Sequence, residues 1–444
     1  MHQAAWTYEE ALAWLYARQK LGIKLGLEKV QRLLEAVGDP QDSFAAVHVA
    51  GTNGKGSVTR MLAEVLRRAG HRTGTTTSPH LVRFTERIEV DGRPLAPEAV
   101  AALLAALRPH VEALDGEEAN PTFFEIVTVM AFCHFRDAGV QWAVVETGMG
   151  GRLDATNVLD PQLTIITNVG LDHQAHLGPT VGHIALEKAG IMKAGVPCVT
   201  ACRGEALRVV QAQSHAMRAP MSIIGIDYHV VPNADHLVLL RPTGEAHYEV
   251  GLAGTHQREN AALVVAAVEA LRLQGVRIPE TALHAGLKHA TNPGRLDLFR
   301  LPASRFVGDR SGDVEVLVDG AHNEDGARVL QRHIGAIGWG GHDLVCGFNA
   351  DKDWRVLLDE WTPMAFRVWA VPLRNPRTLE PQRIVEQVLP SGRHAVACAD
   401  VRHALAQAVA AGADRIVVAG SLFLAGETLA VLRGEPLEEI RGTQ

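Results

Sequence analysis

Apolar residues gather in short runs that end in polar or glycine-rich turns, and between these runs longer stretches repeat apolar positions every three to four residues. Residues 46–50 form one such run, ahead of the glycine-rich Gly51-Thr52-Asn53-Gly54-Lys55-Gly56-Ser57, and a helical pattern covers 58–69. Runs at 73–77, 142–146, 163–167 and 197–200 read as further strands, and 97–114, 122–136 and 180–192 as helices. Before them, residues 7–37 read as one or two amphipathic helices broken near Gly22–Gly26. This alternation predicts a parallel sheet covered by helices. Residues 221–252 interrupt it with short alternating stretches at 236–240 and 248–252, which suggest a small β insertion. Helices follow at 257–273 and 279–289.

Pro293, Gly294, Pro302, Gly308 and Gly312 cluster between Asn292 and Asp313 and mark a boundary. Strands at 314–318, 343–346, 365–370 and 415–419 then restart the alternation. The expected fold class is α/β: a parallel-sheet, phosphate-loop N-terminal domain over 1–297, with the β insertion, and a smaller Rossmann-like domain over 298–444.

A chain of 444 residues with 47% hydrophobic content fits two or three domains, each with a substantial core. The net charge of −7 argues against general nucleic-acid binding. No apolar run reaches the roughly 18 residues of a membrane span. The five cysteines lack a CxxC pair, which indicates neither a disulfide framework nor a zinc site. These features predict a cytoplasmic enzyme, expected to be monomeric, acting on small molecules.

Residues 46–57 carry the strongest chemical signal. Strand, glycine-rich turn and helix together make a phosphate cradle: backbone N–H groups close around the anion and the helix dipole assists. Lys55 adds a mobile positive charge and Ser57 a hydroxyl for phosphate or magnesium. The strict P-loop spacing would place glycine at Val49 and a hydroxyl at Gly56, so the match is imperfect. In parallel sheets, ligands bind beyond the carboxyl ends of the strands. If the strands at 73–77, 142–146 and 163–167 neighbour the P-loop strand, then Ser78, Glu146 and His173 converge on the phosphates as a magnesium site. One carboxylate suffices, because magnesium keeps waters and phosphate oxygens. His173 is the odd member, imidazole being a poor magnesium ligand.

GTNGKGS (51–57), TSPH (77–80), FTERI (84–88), ETGMGGRLDATN (146–157), NVGLDH (168–173), EKAGIMK (187–193), DGAHN (319–323) and AGS (419–421) occur in order. Together they resemble the folylpolyglutamate synthase and dihydrofolate synthase family of the Mur ligase superfamily, from about residue 20 to about residue 425. The resemblance implies an amide ligase using ATP and Mg2+. It joins L-glutamate to the carboxylate of dihydropteroate or a reduced folate through an acyl phosphate, and the bacterial bifunctional type fits best. A monofunctional folylpolyglutamate synthase and a cell-wall Mur-type ligase are the alternatives; outside the enzymes, a nucleotide switch would leave the C-terminal domain without a role.

By the same resemblance Gly54, Lys55, Gly56 and Ser57 cradle the phosphates, and Asn260, Arg295 and Asp319 complete the nucleotide site. Lys188 corresponds to a lysine that is carbamylated in the family and joins the metal ligands. Thr122, Phe123, Phe124 and Glu125, with Arg152, Leu153 and Asp154, are implied in pteridine binding. A helix N-cap at Thr122 followed by core phenylalanines is the competing reading of the first group. His322 and Ser421 are implied on the glutamate side, and Lys24–Leu27 is a further substrate-loop candidate. The charged stretch 302–313 and the outline match of 421–427 depart from the family pattern.

Overall fold

A computed structural model describes residues 6–21, 26–115, 120–233 and 236–438, and three sheets form among them. In chain order the strands of the first are β1 (Ala45–Ala50), β2 (Thr73–Thr76), β3 (Ile88–Val90), β4 (Arg93–Pro94), β5 (Trp142–Glu146), β6 (Leu163–Ile166), β7 (Cys198–Thr200) and β8 (Met221–Ile223). Their spatial order is β4-β3-β2-β5-β1-β6-β7-β8. From β2 to β8 every pairing is parallel, and β3 and β4 fold back antiparallel at one edge.

Alternation along the strands decides what each face buries. On β5, Val144 joins a core with Val58 and Leu62 of helix Lys55–Arg68 and with Ala262 and Val265 of helix His256–Leu273. Ala143 and Val145 point the other way, towards Leu15, Leu33 and Phe132 under the helices Tyr8–Ala17, Glu28–Ala36 and Phe123–Asp137. The sheet is thus covered on both faces.

A second, antiparallel sheet holds β9 (His229–Val231), β10 (Leu237–Arg241) and β11 (Gly244–Tyr248), and its Leu237, Leu239 and Tyr248 extend the first of those cores. The strand expected over 248–252 ends at Tyr248. Beyond it the backbone turns against the helix Glu280–His289, where Gly251 N–H donates to the Leu287 carbonyl at 3.0 Å. A Cβ at Gly251 would lie 2.1 Å from the Lys288 carbonyl oxygen, which forbids a side chain. Residues 221–223, expected in the interruption, instead extend the main sheet as β8.

The third sheet contains β12 (Asp297–Pro302), β13 (Asp313–Val318), β14 (His342–Cys346), β15 (Ala365–Ala370), β16 (His394–Ala397) and β17 (Arg415–Ala419), in the order β12-β13-β17-β14-β15-β16. It is parallel except for β12 against β13. The charged stretch 302–313 connects those two, and Arg300 pairs across them with Asp313 at 3.0 Å. All five cysteines are buried free thiols. No helix among the described residues is long and apolar enough to cross a membrane.

Candidate functional site

The order β2-β5-β1-β6 brings four parallel strand ends to one edge. They deliver Ser78, Glu146, the loop Gly51–Gly54 and the segment Asn168–His173 to the junction with the third sheet. In the loop, Gly51 and Gly54 take φ of +154° and +84°. A Cβ would sit 1.8 Å from Thr167 Oγ1 at the first and 2.5 Å from Asn260 Oδ1 at the second, so any side chain there is strained and must displace its neighbour. Gly54 is also the N-cap of helix Lys55–Arg68 and supplies no side-chain cap. The helix therefore presents its first turn to a ligand, as an anion site requires.

Lys55 Nζ donates to the Thr52 carbonyl at 3.2 Å and stands 4.0 Å from Glu146 Oε1. Glu146 is buried, and Ser78 N–H donates to its Oε2 at 3.2 Å. Burial pushes its carboxyl up, while Lys55, the Ser78 amide and Arg295 pull the other way. A buried carboxylate beside a serine hydroxyl and a phosphate loop fits a magnesium ion, whose remaining ligands come from phosphate and water. No cluster of three or more His, Cys, Asp or Glu side chains suited to a metal occurs among the described residues.

Lys188 lies almost wholly buried at the end of helix Val181–Ala189 and donates from Nζ to the Gly51 carbonyl at 2.8 Å. Burial, with the nearby Lys55 charge, brings its pKa down to about 7. A sizeable neutral fraction at physiological pH is what addition of carbon dioxide needs. His173 takes φ of +52°, and its ring is directed to Asp172 at 3.8 Å.

Asp172 is a hub that the motif reading did not single out. It receives Lys352 Nζ at 2.5 Å and lies 3.8 Å from His322 Nε2. Although burial opposes it, His173, His322 and Lys352 hold its carboxyl well below the usual range. Lys352 and His322 come from the third sheet's loops, so Asp172 ties the two halves together. Beside it Asn53 and Asn323 exchange amide hydrogen bonds of 3.3 and 3.0 Å. Lys352 stands shortly after β14, another strand end, and that position was the available signal.

Residues 49–268 match the Mur ligase middle domain, and residues 304–422 match the glutamate ligase domain of Mur ligases. The chain is 42% identical to the dihydrofolate synthase/folylpolyglutamate synthase of Bacillus subtilis over 338 residues, 73% of this chain and 75% of that protein. It belongs to the folylpolyglutamate synthase/dihydrofolate synthase family. The folylpolyglutamate synthase structure from Thermotoga maritima superposes with a TM-score of 0.84 at 33% identity, covering 97% of this chain and 98% of that one. The Escherichia coli FolC structure with DHPP and ADP gives 0.83 at 27% identity, covering 98% and 99%. The chain is accordingly an ADP-forming acid–amino-acid ligase.

The nucleotide residues implied by the family lie together. Asn260 is buried beside Gly54 and donates to Gln257 Oε1 at 2.9 Å, while Gln257 and Asn292 both donate to Ser57 Oγ. Asp319 accepts from the amides of Leu296 and Ala321 at 2.9 and 2.8 Å, and burial raises its carboxyl against the pull of Arg295. A cleft of about 660 Å3 at this junction is lined by Gly56, Ser78, Glu146, Asn292 and Arg295 among others.

The residues implied for the pteridine are already engaged. Thr122 and Glu125 form a reciprocal capping box on helix Phe123–Asp137, with bonds of 3.4 and 2.6 Å. Phe123 is core, stacked on Tyr16 at 5.5 Å. The competing cap-and-core reading thus describes what these three side chains do in the fold. Phe124 differs. Its ring lies over Gly148, where a Cβ would come within 2.6 Å of it, and it lines a small cavity with Ser78, Arg87 and Glu146. Arg152 pairs with Glu187 at 2.7 Å on the surface, beside the half-buried Leu153.

Asp154 accepts from the amides of Met149 and Thr156 at 2.9 and 3.0 Å and from the Thr156 hydroxyl. That hydroxyl in turn meets the buried His48 at 2.8 Å. Ser421 caps helix Leu422–Arg433 through the Phe423 amide at 3.1 Å. Lys24 and Leu25 of the further substrate-loop candidate lie outside the described residues.

Proposed function

We propose that the chain carries both activities of the family, joining L-glutamate to dihydropteroate and to reduced folates. The ligase chemistry is supported by the meeting of three groups at one junction, the Lys55–Glu146 pair, the buried Lys188 and the His322–Asp172–Lys352 cluster, and the pairing of the two activities by the name of the Bacillus subtilis relative.

In the proposed reaction the pteridine-linked carboxylate attacks the γ-phosphorus of ATP, and the bond to ADP breaks. The amine of glutamate then attacks the acyl phosphate, expels inorganic phosphate and loses a proton, leaving an amide. The glycine loop and Lys55 hold the phosphates in line, which is most of what phosphoryl transfer asks of a protein. Ser78, Glu146, His173 and a carbamylated Lys188 are assigned as metal ligands; magnesium bound there would neutralise charge on the phosphate oxygens.

His322 Nδ1 meets the Gly320 carbonyl at 2.8 Å, which assigns the proton to Nδ1. Burial lowers the ring's pKa to about 4, so the neutral ring offers Nε2 to the incoming ammonium. Ser421 is assigned to the same substrate. Phe124 is assigned to the pteridine plane, with Arg152 and Leu153 at its margin. Thr122, Phe123, Glu125 and Asp154 shape that pocket through the contacts described above.

Release of phosphate from ATP by the purified chain tests the assignment. Release that requires dihydropteroate and glutamate together supports the synthase, and release with tetrahydrofolate and glutamate adds the second activity. Turnover indifferent to every pteridine would refute the proposal. Intact mass in bicarbonate, or a 13C carbamate resonance, tests Lys188; an unmodified ammonium in the metal-loaded enzyme would refute that assignment.

A further inference from the structure

The segment between Ser78 and Arg87 belongs by sequence to the first sheet, yet its middle is buried in the other half of the molecule. Leu81 and Val82 are buried in one core with Val316, Val345, Leu424 and Ala425 of the third sheet and its last helix. The fit is close: a Cβ at Gly426 of that helix would stand 2.0 Å from the Leu81 carbonyl oxygen, and one at Gly294 3.0 Å from Leu81 Cδ1.

The segment is also internally braced. Glu86 accepts the amides of Leu81, Val82 and Arg83 at 2.8, 3.0 and 2.8 Å. Arg87 Nε donates to His80 Nδ1 at 2.8 Å inside the fold, and Thr77 N–H donates to the Arg87 carbonyl at 3.1 Å. Its far end is held from the C-terminal side too, where Glu438 accepts the Phe84 amide at 2.8 Å. At the near end, three residues before Leu81, Ser78 N–H donates to Glu146.

We propose that Leu81, Val82 and Glu86 are positioning residues for the magnesium site. The C-terminal half seats Leu81 and Val82, Glu86 keeps the segment moving as one piece, and the seated segment sets both the Ser78 hydroxyl and the Glu146 carboxylate. The metal site is then complete only when the two halves are docked. This rests on the assignment of Ser78 and Glu146 as metal ligands. Partners that orient ligands in this way change metal affinity by about 10- to 100-fold when removed.

The test compares full-length Leu81→Ala, Gly426→Ala and Val409→Ala. Val409 lies in the same core on helix Val401–Ala410, and its truncation removes packing from that core on another element. Gly426→Ala favours its helix and must displace the Leu81 carbonyl, so it remains informative if Leu81→Ala folds poorly. Binding of a β,γ-methylene ATP analogue is measured by calorimetry against Mg2+ concentration and in EDTA, and amide exchange is followed over residues 77–87.

The expected result for Leu81→Ala and Gly426→Ala is an Mg2+ half-saturation raised by about tenfold, analogue binding in EDTA unchanged, and faster exchange over 77–87. Val409→Ala lowers the melting temperature and changes none of these. Equal weakening with and without Mg2+, unaltered exchange, or the same shift in Val409→Ala would overturn the proposal. Glu146→Gln separates the two readings: if it leaves the Mg2+ dependence untouched, the ligand assignment fails whatever the segment does.

Discussion

Gly54→Ala puts the geometry of the phosphate loop to a quantitative test. Gly54 sits at φ +84°, where a residue with a Cβ costs roughly 1–2 kcal/mol. The new methyl would lie 2.5 Å from Asn260 Oδ1 and 3.2 Å from its Cγ, so the Asn260 amide must move. Moving it breaks the 2.9 Å bond to Gln257, worth about 1 kcal/mol. The expected loss is therefore about 2–3 kcal/mol in the ligand-free chain.

Asn260→Ala alone removes only that bond, about 1 kcal/mol. The double variant keeps the backbone strain but has no amide left to displace. It should cost no more than Gly54→Ala, a non-additivity of about 1 kcal/mol. Urea midpoints with their slopes supply the four free energies, and calorimetry with ADP reports on the cradle itself, where both single variants should bind more weakly. A Gly54→Ala chain within about 0.5 kcal/mol of the parent, or a strictly additive double variant, would refute the assigned contact.

Lys55→Met should lower turnover by at least about 10²- to 10³-fold, as loss of one preorganised charge-stabilising donor does, with circular dichroism and melting temperature close to the parent. Thr122→Ala removes a helix cap worth about 1 kcal/mol and should lower stability without altering ADP affinity, whereas Thr122→Ser should restore it; a changed ADP affinity would contradict a capping role. The Asp172 carboxyl is depressed in the fold, so its contribution to stability is present above the unfolded value of about 3.9 and is lost as pH falls through the folded value. Asp172→Asn should therefore destabilise the chain at pH 7 and much less at the most acid pH where the parent stays folded, as acid titration followed by fluorescence would show. Arg152→Ala breaks an exposed pair worth about 0–1 kcal/mol and should leave the melting temperature alone while raising KM for the pteridine; an unchanged KM would remove Arg152 from the substrate site.

The elements around the phosphate loop were legible because period-2 and period-3.6 patterns stand there next to glycines with one workable conformation. The strand ends carrying Ser78 and Glu146 could be named for the same reason. The third sheet was harder at its edges: β16, with only partial burial, carries little apolar signal. The hairpin formed by β12 and β13 hid behind a charged connection whose ion pair is visible only when the strands are laid side by side. Sequence could not separate Thr122 and Glu125 as a cap from the same residues as ligands, since one pattern serves both. The hub at Asp172 and the burial of Leu81 escaped because each depends on a partner from the other half of the chain, Lys352 in one case and Gly426 in the other.

The parallel ladders turn the site into a ruler. Val49 pairs with Glu146, Ala50 with Ile166 and Thr76 with Val145. Glu146 therefore stands on a ladder rung itself, Gly51 and Thr167 one residue past theirs, and Ser78 two past Thr76. A strand that slips while keeping its faces must move two residues, about 6.6 Å, more than any side chain here could recover. The distances of the chemistry are thus written as residue counts beyond fixed rungs. Single insertions after Ala50, Thr76 or Ile166 should be silent in expression and fatal in activity, while insertions at the opposite strand ends, such as the turn at Gly139, should be borne. An insertion scan would read that ruler directly, without a single change of residue type in the site.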